Sequence, residues 1–129
     1  MGVLLDRVVL LAAVGFFLIG ANALVAPDWV AGILGLSVTQ ESGMNAIRAI
    51  IGGHYLAMAL MVVFGFFLEE SRFLVAIIMI EGLMIFSRLV GLLAGEGGVM
   101  VFAPLVIEIA LVVILFPAAA RLRSFSRRD

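Results

Sequence analysis

Cysteine and lysine are absent from this chain of 129 residues, histidine and tryptophan occur once each, and charged residues make up only 13%. Without cysteine there are no disulfides, no thiolate catalysis and no cysteine-ligated zinc or iron–sulfur site. The lone His54 has no acids at metal-ligand spacing, so no metal is expected. "GEGG" at residues 95 to 98 has no strand before it and reads as a turn, not a phosphate cradle. No cofactor motif and no nucleophile–base pair are legible, so no cofactor is expected and an enzyme is the least favoured class. The net charge of −1 offers no broad basic surface for nucleic acid.

What is present is apolar. Hydrophobic residues reach 65% and the mean hydropathy is +1.32, the composition of a chain whose solvent is a bilayer. A hydrocarbon core about 30 Å thick takes about 20 apolar residues per helix. Four stretches qualify, at residues 5–26, 44–68, 73–95 and 99–120. With no repeat or domain boundary, this is an all-α chain: an integral membrane antiparallel four-helix bundle forming one transmembrane domain over residues 1–129.

The connections fit that layout. "PDWVAGILGLSVTQESG", residues 27–43, opens with Pro27 and Asp28, which stop the first helix. Trp29, Ile33 and Leu36 are spaced for a short amphipathic re-entrant or surface helix. "EESR", residues 69–72, is short enough to force an antiparallel hairpin, and Pro104 either starts the fourth helix or kinks it. Arg7, the apolar run and Ala21-Asn22-Ala23 resemble a signal peptide. The run is also long enough to span, and it is taken as the first helix.

Arginine placement in short loops sets orientation. With alternating helices, Arg7, Arg72, Arg121, Arg123, Arg127 and Arg128 share one side, while the opposite loops carry Asp28, Glu41 and Glu96 and no arginine. Both termini are therefore expected in the cytoplasm, with the tail "RLRSFSRRD" anchored at anionic headgroups.

Five ionisable residues remain within the apolar runs: Arg48, His54, Glu81, Arg88 and Glu108. A bare charge in hydrocarbon costs several kcal/mol, so they are expected to face one another inside the bundle. At about 1.5 Å rise per residue, Arg48, Arg88, Glu108, His54 and Glu81 lie about 6, 10, 14, 15 and 20 Å below the outer face. Glu81 and Arg88, one heptad apart, share a stripe but stand about 10 Å apart, too far for an ideal direct pair. Glu108 is the acceptor at the right depth for Arg88, with Arg48 as a second donor. Glu81 is assigned to a deeper layer with Tyr55 or His54, as a protonated structural acid or a proton relay. Asn45, Arg48, Gly52 and Tyr55 form a stripe on the second helix, and Asn22 is placed to cap the cluster. Gly91-x-x-x-Gly95 and Gly53-x-x-x-Ala57 match the pattern that lets helices approach closely.

"NAIRAIIGG", "SRLVGLLAGEG" and "IEIALVVI" resemble the signature segments of an uncharacterised bacterial family of small four-helix membrane proteins. The resemblance runs over nearly the whole chain. It implies that Asn45, Arg48, Gly52, Gly53, Arg88 and Glu108 are shared polar and glycine positions, and it supplies no established activity. The chain departs from the family's pattern at Ala46, where an acid is usual, and at Ile51, where a tyrosine is usual; Tyr55 offers a hydroxyl one turn on.

Two function classes follow. The leading reading is a noncatalytic accessory or assembly subunit of a larger membrane complex, which fits a chain with no soluble domain, partnered by lipid and by other membrane subunits or copies of itself. A small-solute or proton carrier would use the polar pocket in the outer half of a bacterial inner membrane, with Arg48 and Arg88 holding an anion and Glu81 exchanging a proton. The bland counterpart of both is an ion-pair network that only fixes helix register.

Overall fold

A computed structural model describes residues 2–125, so Arg127 and Arg128 lie outside the described residues. In chain order the elements are α1 (Gly2–Val25), α2 (Pro27–Ile33), α3 (Glu41–Ala46), a π-helical segment (Ile47–Gly52), α4 (Gly53–Phe67), α5 (Ser71–Leu93) and α6 (Val99–Phe125). Every element among the described residues is helical. Four stretches are long and apolar enough to cross a membrane: Val3–Val25, Ser42–Phe67, Ser71–Leu93 and Val101–Arg123. The chain is thus a multi-pass membrane protein whose second span is built from α3, the π-helical segment and α4 in succession.

Three of the helices end in the same device. After α2, Leu36 N–H donates to Ala31 O and Gly35 N–H to Gly32 O. After α4, Glu70 N–H reaches Gly65 O and Glu69 N–H reaches Phe66 O. After α5, Glu96 N–H reaches Gly91 O and Gly95 N–H reaches Leu92 O. Each is a paired six-to-one and five-to-two closure that satisfies carbonyls the helix leaves open. It requires a left-handed residue just past the helix, and these are Gly35 (φ 69°), Glu69 (φ 53°) and Gly95 (φ 87°). Glycine adopts that conformation without steric cost, so Glu69 is the exception among the three.

Contacts gather into two compact units. The first comprises Met1–Leu10 and Met61–Asp129 and draws on all four long helices. Its core holds Val9, Val62, Leu74, Ile77, Leu105, Leu115, Ala118 and Ala119, all buried. Antiparallel packing is visible between α4 and α5, which a short loop joins, and between the first and last helices. Phe64 of α4 meets Phe73 of α5 with ring centroids 6.1 Å apart, and Asp6 near the start of α1 accepts from Arg121 Nη1 near the end of α6 at 2.8 Å. Pro104 and Pro117 both sit inside α6, so Pro104 lies within the helix and does not mark its start.

The second unit, Leu11–Leu60, holds the rest of α1, the connecting segment and the start of the second span. Ala23, Val30, Ala31 and Ile47 make a small buried cluster that seats α2, while Trp29, Ile33 and Leu36 are exposed. The connecting segment thus holds a seven-residue helix with its small apolar residues turned in and its bulky ones turned out. Within this unit two helices approach closely at Gly20 and Gly52. A Cβ on Gly20 would lie 2.9 Å from Leu56 N and 3.0 Å from Gly52 O. Only a residue without a side chain fits so near another backbone.

Candidate functional site

The polar residues anticipated within the spans are divided between the two units: Glu81, Arg88 and Glu108 in the first, and Asn22, Asn45, Arg48, His54 and Tyr55 in the second.

In the first unit the geometry is that of an intramembrane ion pair. Arg88 Nε donates to Glu108 Oε1 at 2.8 Å and to Oε2 at 3.0 Å, joining α5 to α6. The Glu108 side chain is 5% exposed and that of Arg88 24%. One nitrogen serves both carboxylate oxygens, and among the described residues neither Nη group of Arg88 makes a hydrogen bond. The fork of the guanidinium, with four N–H donors, therefore remains available to a further acceptor. Glu81 lies seven residues earlier on the same face of α5, within one residue of the helix midpoint. It is 1% exposed, and its Oε2 has no hydrogen-bond partner among the described residues. Glu108 and Arg88 are the charges that act on it. Buried polar atoms are nearly always satisfied, so an orphaned carboxyl oxygen within an apolar span calls for an explanation.

In the second unit, Arg48 Nε donates to Leu24 O at 3.0 Å. The sequence assigns Arg48 to Glu108 as a second donor; the structure gives it a backbone carbonyl in the last turn of α1 instead. A cation there satisfies an orphan acceptor and complements the negative end of the helix dipole. Asn22, expected to cap the cluster, turns its side-chain amide back on its own helix, Nδ2 to Leu18 O at 2.8 Å. Asn45 is exposed. Tyr55 stacks at a tilt on Phe16, with centroids 6.1 Å apart, and meets His54 edge-on at 5.6 Å. The stripe linking Arg48 to Tyr55 presumed an unbroken α-helix, but residues 47–52 are π-helical, which alters the turn and shifts every later side chain.

The anticipated packing glycines separate in the same way. Gly52 is buried at the α1 crossing with Leu24 side-chain atoms against it, whereas Gly53 has open space where its side chain would be. Gly91 faces the Glu96 carboxylate and Gly95 is the left-handed residue closing α5. Gly20, which no sequence motif singled out, is of the described glycines the one pressed most closely against another segment's backbone. With Phe16 and Leu24 at the flanking four-residue spacings it belongs to no small-x-x-x-small pair, and its part shows only against Gly52. Among the described residues no group of three or more histidine, aspartate or glutamate side chains forms a metal site.

Comparison with protein families, with curated proteins and with solved structures gives no match.

Proposed function

We propose that this multi-pass membrane protein carries protons, with Glu81 as the exchanging group and the Arg88–Glu108 pair as its fixed electrostatic frame. The observation that carries the reading is Glu81 itself, 1% exposed at the middle of a membrane span with Oε2 unpartnered among the described residues. A proton added to Oε2 supplies the missing hydrogen-bond donor for a ligand and removes the charge; its loss restores the carboxylate. Arg88, whose Nη groups are unengaged, stands on the same stripe to stabilise the deprotonated form or a small anion moving with the proton. Placement in a bacterial inner membrane with both termini cytoplasmic, and membership of the uncharacterised four-helix family, belong to the same proposal. They are supported by the arginine distribution and by the three signature segments.

The test is proton uptake by proteoliposomes under an imposed potassium diffusion potential. Wild-type protein is expected to acidify the lumen, and Glu81→Gln to abolish uptake while leaving the unfolding temperature unchanged. Uptake that survives Glu81→Gln overturns the proposal.

A second reading, a noncatalytic accessory or assembly subunit, is favoured by a different observation. Only 17–28% of each span is buried within the chain, and α5 turns Val75, Met79, Leu83, Phe86 and Val90 outward along one stripe. Such a face is suited to lipid or to another subunit. Purification in mild detergent separates the cases: a stoichiometric partner supports the subunit, and a lone particle removes it.

A further inference from the structure

At the arginine-bearing end of the first unit lies a cavity of about 240 Å³, lined by Asp6, Phe66, Glu69, Ala118, Arg121 and Leu122. We infer that it binds the headgroup of a phospholipid bearing a primary amine. Asp6 is near the start of α1, Phe66 near the end of α4, Glu69 in the turn that follows, and Arg121 near the end of α6. These are the ends of three membrane spans, so the cavity opens at headgroup level. Its volume is below that of most small-molecule sites and suits a headgroup rather than a larger solute.

The lining selects by charge and by hydrogen bonding. Among the described lining residues there are two carboxylates and one guanidinium, a formal excess of one negative charge, beside an apolar wall of Phe66, Ala118 and Leu122. Asp6 already accepts from Arg121 at 2.8 Å, which fixes its position, while Glu69 is exposed and, among the described residues, makes no side-chain hydrogen bond. A primary ammonium carries three N–H donors that both carboxylates accept; a quaternary ammonium carries none. The phosphate that follows the amine in such a headgroup has exposed Arg7 and Arg123 as its nearest cations in sequence, each adjacent to a lining residue. The acyl chains continue over Leu4, Phe67, Leu68 and Phe116, all strongly exposed apolar residues of the same unit. A free soluble amine would use the carboxylates but gain nothing from that apolar surround.

Native mass spectrometry of the full chain in detergent, with equimolar phosphatidylethanolamine and phosphatidylcholine, tests the assignment. The ethanolamine lipid is expected to be retained about tenfold more than the choline lipid, the effect of one charge-assisted hydrogen bond. Glu69→Gln and Glu69→Gly are each expected to reduce that ratio to near unity. Glu69→Gly places glycine at a left-handed position, so it keeps the fold while removing the carboxylate. Equal retention of the two lipids, or a ratio unchanged in both variants, overturns the inference. Displacement of bound lipid by an equal concentration of phosphoethanolamine would also overturn it, by assigning the cavity to a soluble amine.

Discussion

At the level of single residues, the arginines within the spans have taken different roles. Arg88 meets a carboxylate and Arg48 meets a backbone carbonyl. Depth and helical phase are enough to reach Glu108 for Arg88, because α5 and α6 are regular where the two residues lie. They are not enough for Arg48, because its partner is the end of another helix, and backbone acceptors leave no trace in side-chain patterning. The same holds for Asn22, whose amide found Leu18 O one turn back. The Arg88–Glu108 pair should behave as a coupled unit. Arg88→Ala or Glu108→Ala alone is expected to destabilise the protein by roughly 3–5 kcal/mol, because the remaining charge stays buried. The double variant should cost less than the sum of the two. Unfolding of the four proteins in detergent measures the cycle; additive losses would show that the pair contributes no coupling.

At the level of elements, the four apolar runs are enough to locate four helices, since length and hydropathy are read directly from composition. What they hide is irregular backbone inside an apolar run. The six π-helical residues Ile47–Gly52 resemble their neighbours in composition, yet they shift the phase of everything after them. Small-residue spacing is equally ambiguous, and the structure makes it testable. Gly20→Ala would bring Cβ against the backbone of Leu56 and Gly52, and is expected to destabilise by about 1–3 kcal/mol. Gly53→Ala, with no atom within 4 Å of the new carbon and ordinary helical angles, should be neutral or stabilising by up to about 1 kcal/mol. Thermal unfolding of both variants in one detergent decides it. Equal losses would place the helix crossing elsewhere than Gly20 and Gly52.

At the level of the whole molecule, the asymmetry of charge should set how the chain lies in the bilayer. If the spans alternate, Arg7, Arg72, Arg121 and Arg123 fall at the ends on one side, and the segments connecting the spans on the other side carry Asp28, Glu41 and Glu96. Inside the first unit that end is also where Asp6 pairs with Arg121 and where Arg72 Nε pairs with Glu70 Oε2 at 3.1 Å. The surface pair at Arg72 is too exposed to stabilise the fold much, so its arginine matters chiefly as a topological signal. Arginines in short loops resist translocation, whereas acids there have little effect. A reporter active only in the cytoplasm should therefore work when fused after Asp129 and fail when inserted within residues 38–43. Replacing Arg72 alone should not invert the pattern, because Arg7, Arg121 and Arg123 remain on the same side. Activity within residues 38–43 with none after Asp129 would reverse the orientation, moving the Arg88–Glu108 pair to the inner half of the membrane and the amine-binding cavity to the outer leaflet.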